Sequence, residues 1–338
     1  MNPFRDTSEV HEAAHLLAAG ELVAIPTETV YGLAADASNP QAVAKIFAAK
    51  GRPADHPLIV HIGDIAQLGK WARDIPQAAY TLAERYWPGP LTMILKRQPG
   101  VSDAVTGGQD TIGVRMPRHA LTLSLLKAFS EIGSGAVAAP SANKFGRISP
   151  TRASHVKDDL GNEVAMILDG GECEVGIEST IIDLSRGVPI VLRPGAVTLE
   201  EIEALLGQHA DAQTTTPAPR VSGALAAHYA PRTPLRLVAG DALLAQVDAY
   251  ARKGQRLAVL AFHVSPLHHD DTVRWFAAAH SAPHYARDLY ANLRLLDAVG
   301  ADCILVEMPP ATEAWRAVAD RLGRAAVGSG IDDGQEAT

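Results

Sequence analysis

Two short runs hold the side chains best suited to chemistry: Lys50-Gly51-Arg52-Pro53 and Ser141-Ala142-Asn143. The first sets two cations one residue apart, on a loop just after a helical pattern ends. The second places a hydroxyl and an amide on a turn after the apolar run Ala136-Val137-Ala138-Ala139-Pro140. Cations beside a strand end are what a polyphosphate site needs, and the Ser/Asn pair can orient its oxygens. Either run alone also fits a solvated surface turn. The surrounding elements decide between the two.

Over the first two hundred residues, helical patterns alternate with short apolar runs. Thr7 or Ser8 can cap a helix that reaches Ala19, with Gly20 terminating it. Asn39-Pro40 opens a second helix running to about Ala49, and a third covers Gln77 to Tyr86. Strand candidates are 22–25, 58–62, 91–95, 111–114, 136–139, 166–168, 180–184 and 190–192. Strands outnumber helices, so the expected class is α/β, with a twisted mixed sheet and flanking helices. From His209 to Pro219 the chain reads HADAQTTTPAP, which has no periodicity and suits a linker. Beyond Pro234 a strand–helix alternation returns and predicts a small parallel, Rossmann-like α/β domain. The expected organisation is a catalytic domain over 1–208, a linker over 209–233, a C-terminal domain over 234–330 and a tail over 331–338.

Composition narrows the class. The 338 residues are 47% hydrophobic and 20% charged, which is globular. No apolar run approaches the roughly 20 residues of a membrane span, and the start lacks a signal-peptide pattern. Cys173 and Cys303 suggest neither a disulfide framework nor structural zinc. The expected location is the cytoplasm. A net charge of −8 argues against a broad grip on nucleic acid.

Some motifs mislead. His11-Glu12-Ala13-Ala14-His15 matches a zinc-protease pattern, but the apolar stripe Val10, Ala13, Ala14 and Leu17 turns those polar residues toward solvent. Gly133-Ser134-Gly135-Ala136 precedes a strand, whereas a dinucleotide fingerprint follows one. His268-His269-Asp270-Asp271, with metal-binding residue types, reads as a solvated loop, and no Walker-type phosphate loop is present.

Read in order, a larger set of runs resembles one family. They include Pro26-Thr27-Glu28-Thr29-Val30-Tyr31-Gly32-Leu33, Lys50-Gly51-Arg52-Pro53, Pro57-Leu58-Ile59-Val60-His61 and Trp87-Pro88-Gly89-Pro90. Val114-Arg115-Met116-Pro117, Pro140-Ser141-Ala142-Asn143, Ser149-Pro150-Thr151, Gly176-Ile177-Glu178-Ser179-Thr180 and Arg193-Pro194-Gly195 continue the series. The chain resembles the YrdC-like threonylcarbamoyl-AMP synthases, in the long form that adds a C-terminal domain.

That resemblance implies that L-threonine, bicarbonate and ATP, with Mg²⁺ and no organic cofactor, give threonylcarbamoyl-adenylate and pyrophosphate. The adenylate then passes to a separate transferase complex that modifies tRNA. Lys50 and Arg52 are implied to meet the phosphate charge. Ser141, Asn143, Ser149, Thr111 and Arg193 are implied on the nucleotide side, and Arg115 as a fork for threonine's carboxylate. Thr29, His61 and Ser179 match positions contacting threonine's polar groups. Taken without the family, His61 also reads as a core histidine, Ser179 as a sheet residue and Tyr31 as a packing ring. His56 stands where the family pattern has asparagine beside the nucleotide. His228-Tyr229-Ala230-Pro231 matches the linker motif of the long form, and the expectation is that His228 or Tyr229 closes over the nucleotide. Two other readings are a hydrogenase-maturation carbamoyltransferase, which carries paired C-x-x-C motifs absent here, and a non-catalytic RNA-binding module.

Overall fold

The computed structural model describes residues 5–210, 218–266 and 270–330. The expected tail 331–338, linker residues 211–217 and the pair His268-His269 lie outside the described residues. The chain divides into two compact units. One is Met1–Phe145 with Ser149–Ala224, and the other is Gly146–Ile148 with Leu225–Thr338.

The first unit begins with α1 (Arg5–Ala18), β1 (Val23–Ile25) and β2 (Gly32–Asp36). Next come α2 (Pro40–Lys50), β3 (Ile59–Ile62), α3 (Leu68–Trp71), β4 (Ala72–Arg73) and α4 (Gln77–Tyr86). Its middle holds β5 (Leu91–Arg97), α5 (Asp103–Thr106), β6 (Thr111–Arg115), α6 (Ala120–Ile132) and β7 (Ala136–Ala138). Finally there are α7 (Ala153–Leu160), β8 (Met166–Ile167), β9 (Thr180–Asp183), β10 (Ile190–Arg193) and α8 (Leu199–Leu206). Among the described residues these strands make one mixed sheet in the order β10-β9-β5-β6-β3-β7-β2-β1-β8, with β4 paired to β5.

Register places the chemistry. β3 lies between β6, parallel to it, and β7, antiparallel to it, so His61 pairs with Arg115 on one side and Val137 on the other. The start of α2 follows from its sequence: Asn39 accepts from the Gln41 and Ala42 N–H groups, and Pro40 occupies the first turn. Val43, Ile46 and Phe47 are buried in the main core. Gly51 ends the helix at φ 63°, a left-handed conformation that glycine adopts without penalty. Lys50 is therefore the last residue of α2, not a loop residue, and the helix dipole favours a cation there.

Other boundaries also differ from the sequence reading. α1 starts at Arg5, ahead of the expected caps Thr7 and Ser8. His11, Glu12 and His15 are exposed as expected, while Val10, Ala13, Ala14 and Leu17 pack on Leu121, Leu125, Leu126 and Phe129 of α6. The sequence reading has no helix at α6, because Leu121, Leu123 and Leu125 mimic a strand's two-residue alternation.

The second unit holds β11 (Leu235–Val238), α9 (Gly240–Ala251), β12 (Leu257–Ala261) and β13 (Val273–Ala277). α10 (Ala282–Ala298), β14 (Cys303–Glu307) and α11 (Arg316–Gly328) complete it. Its sheet runs β11-β14-β12-β13 and every pair is parallel, as the strand–helix alternation predicts. Leu243 and Val247 of α9 pack on Leu257, Val259, Ala261, Cys303 and Leu305. No helix among the described residues is long and apolar enough to cross a membrane.

Asn39→Ala is expected to lower stability by about 1 kcal/mol, the usual cost of losing an N-cap. A urea unfolding curve with a lower midpoint and unchanged slope is the expected result. An unchanged midpoint contradicts the capping role.

Candidate active site

The Lys50 ammonium donates to two backbone carbonyls, Ser141 O at 2.5 Å and Asn143 O at 2.6 Å. The two runs that stand out in the sequence are thus one structure. Burial first, then the charge of Arg52, push Lys50 well below the usual lysine range. Arg52 is buried as well and donates to Pro57 O at 2.9 Å and to Ser222 Oγ at 3.4 Å. Both cations are therefore built into the fold, and replacing them acts on structure as well as on binding.

Arg115 lies at the end of β6 and is 4% exposed. Its Nε donates to Gly89 O at 3.2 Å and its Nη1 to Thr29 Oγ1 at 2.9 Å. Its Nη2 pairs with Glu28 Oε1 at 2.7 Å. The other Glu28 oxygen accepts the Arg118 N–H at 3.0 Å. The guanidinium is fixed on three sides before any ligand arrives. Beside it, His61 contacts Ile59 O through Nδ1 at 3.2 Å. A proton on Nδ1 satisfies that contact and leaves Nε2 as an acceptor. Burial, then the Arg115 charge, lower His61 to about 3.

A third arginine joins from the sheet edge. Arg193 donates to Ser179 O at 2.8 Å, to Ser179 Oγ at 3.1 Å and to Ser222 O at 2.8 Å. Ser179 Oγ shares a hydrogen bond of 2.7 Å with Thr92 Oγ1. Ser149 Oγ donates to the buried Glu178 Oε1 at 2.6 Å. Tyr31, inside the core, donates to Gly171 O at 2.8 Å and accepts from the Gly170 N–H at 3.1 Å, so its ring fixes that loop.

The contacts link the expected residues in groups: Lys50 with Ser141 and Asn143, Arg115 with Thr29 and, by strand pairing, His61, and Arg193 with Ser179. Ser222 connects Arg52 to Arg193. Thr111 opens β6 at the opposite end from Arg115, about 13 Å away by strand rise. His228 and Tyr229 belong to the second unit. There Tyr229, at φ 62°, packs on Tyr290 at 5.6 Å and under the Arg321 guanidinium at 5.3 Å.

Glu28, Glu178 and Ser222 are bonded neighbours of the candidate residues that residue-type reasoning misses. Glu28 and Glu178 sit inside quoted motifs, each next to a hydroxyl residue already singled out, Thr29 and Ser179, and that adjacency was the available signal. Among the described residues of the first unit the buried charged groups are Lys50, Arg52, Arg115 and Arg193 against Glu28, Glu178 and Asp183. Glu28 pairs with Arg115 and Asp183 with Arg186. Lys50, Arg52 and Arg193 thus bring three buried basic side chains to a region that also holds Glu178, with Asp159 and Glu178 both acting on Lys50. No group of three or more His, Cys, Asp or Glu side chains among the described residues is arranged to hold a metal ion.

The family profile described as telomere recombination, for Sua5, YciO and YrdC proteins, matches residues 15–195. The profile for the C-terminal domain of threonylcarbamoyl-AMP synthase matches residues 197–327. The threonylcarbamoyl-AMP synthase of Pyrococcus abyssi is 40% identical over 330 residues, covering 94% of each chain. That of Bacillus subtilis is 42% identical over 327 residues, covering 95% of this chain and 93% of its own. The chain belongs to the threonylcarbamoyl-AMP synthase family. A crystal structure of Pyrococcus abyssi Sua5 complexed with L-threonine matches with a TM-score of 0.87 at 38% identity, covering 95% of both chains. The synthase family spans both units, which bears out the long form expected from the sequence.

His61 is expected to stay neutral well into acid. Its folded value lies below the ordinary 6.5, so the unfolded chain takes up the proton first as pH falls. Stability from burying the neutral ring is present above about 6.5 and drains as pH drops toward 3. Nitrogen-detected NMR of the folded protein at pH 5 is expected to show a neutral ring protonated on Nδ1. A midpoint near 6.5 contradicts the burial argument.

Proposed function

We propose that the cationic cluster of the first unit forms threonylcarbamoyl-adenylate and pyrophosphate from L-threonine, bicarbonate and ATP. The observation that carries this reading is the gathering of three buried basic side chains, Lys50, Arg52 and Arg193, on loops that their own hydrogen bonds join. Buried cations are costly unless an anion matches them, and a triphosphate supplies that match. The relatives' name supports the adenylate product, and the L-threonine bound to the Pyrococcus protein supports the amino-acid substrate.

In this reading the threonine ammonium and bicarbonate give a carbamate, one water and one proton. A carbamate oxygen then attacks the α-phosphorus of ATP, and the bond to the bridging oxygen of pyrophosphate breaks. The site needs no protein nucleophile. It positions reactants and matches charge that moves onto the leaving pyrophosphate.

Lys50 and Arg52 hold phosphate oxygens, and Arg193 adds a third cation. Ser141, Asn143 and Ser149 supply neutral hydrogen bonds, with Thr111 and His56 on the nucleotide side. Arg115, immobilised by Glu28, Thr29 and Gly89, meets the threonine carboxylate. His61, through the acceptor nitrogen Nε2, Ser179 and Thr29 meet its amine and hydroxyl. Mg²⁺ enters as part of the MgATP substrate, since the described residues offer no cage for it. Ser222, now on Arg52 and Arg193, yields those donors to phosphate. The protein works in the cytoplasm, consistent with two buried free cysteines. Its product passes to a separate tRNA-modifying transferase complex.

Lys50→Ala and Arg52→Ala are each expected to cut pyrophosphate release by roughly 10²-fold, the scale of losing one preorganised charge stabiliser. The assay omits threonine or bicarbonate in control arms, and near-normal turnover in a folded variant removes that residue from the phosphate site. Arg115→Lys is expected to raise the threonine requirement more than the ATP requirement, because one ammonium cannot reproduce the fork. An equal rise in both requirements contradicts the threonine assignment.

A further inference from the structure

A cavity of about 560 Å³ opens in the first unit, where the turn after β2, the end of α3, the loop after β5 and the turn before β7 meet. None of the residues assigned above to nucleotide or threonine lines it. β2 relates the two places. Gly32 at its start pairs with Ser141, while Ala37 and Ser38 just past its end line the cavity, and the strand's ends stand about 13 Å apart by strand rise. The walls are braced before any ligand arrives. The Ala37 N–H bonds to Ala136 O at 3.2 Å, and the Gln98 N–H to Trp71 O at 2.9 Å. Gln98 Nε2 also donates to Gly69 O at 2.9 Å. The Gly133-Ser134 turn, which the sequence reading sets aside as a false dinucleotide fingerprint, forms part of this wall. A Cβ on Gly133 would stand 2.3 Å from the Phe129 ring, so glycine is what lets the turn lie against α6.

What the cavity presents is a set of donors. Trp71 is packed in the main core at 6% exposure and reaches the cavity wall. Among the described residues no acceptor meets its indole N–H, whereas the Trp87 N–H donates to Leu91 O at 2.7 Å. Lys70, the next residue on the wall, is exposed, and its ammonium has no partner among the described residues. Ser38 adds a hydroxyl, and Pro40, Pro99 and Val101 make apolar wall. No carboxylate is among the lining residues. Asp36, bonded to the wall, has its Oδ1 taken by the Ser38 N–H at 2.9 Å and the Ser134 hydroxyl at 2.6 Å. An ammonium and an indole N–H can only donate, so they select an acceptor. A single lysine is a poor match for a polyphosphate but balances one carboxylate. The volume and the apolar walls suit a small molecule that carries hydrocarbon beside that charge.

We propose that this cavity is a second ligand site of the first unit, for a small organic carboxylate with an apolar body. The carboxylate sits on the Lys70 ammonium and the Trp71 indole N–H, with the Ser38 hydroxyl as a further donor. The body lies against Pro40, Pro99 and Val101. The site uses none of the residues assigned to the synthase reaction.

The test titrates the full chain, nitrogen-labelled at its four tryptophans, with millimolar phenylbutyrate and with its uncharged amide, phenylbutyramide. Trp71→Phe identifies the Trp71 indole signal in the NMR spectrum. Phenylbutyrate is expected to shift that signal saturably while Trp87, Trp275 and Trp315 stay in place. Phenylbutyramide is expected to bind about tenfold more weakly, the scale of one charge-assisted hydrogen bond. Lys70→Ala is expected to abolish that preference and Lys70→Arg to keep it, with the three unmoved tryptophan signals showing that each variant is folded. L-threonine and MgATP are expected to leave the probe bound, and displacement by either puts the probe in the candidate active site and overturns the inference. A Trp71 signal that neither probe moves overturns it too, as does equal binding of acid and amide or a preference that survives Lys70→Ala.

Discussion

The structure around the site depends on keeping positive charge inside the protein. A buried ammonium or guanidinium without compensation costs several kcal/mol. Here the compensation is built from backbone carbonyls as much as from carboxylates. Ser141 O and Asn143 O receive Lys50, Gly89 O receives Arg115, and Ser179 O and Ser222 O receive Arg193. Carbonyls offset part of a cation's desolvation without cancelling its charge. The cluster can therefore stay buried without a carboxylate for every basic group.

That choice constrains the fold. A carbonyl can be aimed only by fixing its peptide, so the loops after β7 and just before β9 are held in defined shapes. The β3–β6 register sets His61 opposite Arg115, and the α2 C-terminus aims Lys50 across at the Ser141–Asn143 turn. Glu28 has a different part. It pairs with Arg115 and offsets the cost of burying that guanidinium, whose positive charge acts with burial to keep the neighbouring His61 neutral.

Much of the sheet was legible because its strands are short apolar runs bounded by proline, glycine or polar residues. The parallel second sheet showed through its strand–helix spacing. α6 was hidden because its leucines alternate, and β13 was hidden because Arg274-Trp275-Phe276 lacks an apolar alternation. The residue types at the site were legible from ordered motifs. Their partners were not, because most are backbone atoms, which carry no sequence signature. Lys50 read as a loop cation because its helix ends on it, and only the left-handed Gly51 reveals the boundary.

Ser222 adds something that a list of side chains does not convey. Its carbonyl and hydroxyl sit on Arg193 and Arg52 as a tethered occupant of the donors an anion would use. A ligand that took those donors would have to displace both Ser222 contacts, so it would exchange hydrogen bonds already made and gain only the difference between the two sets.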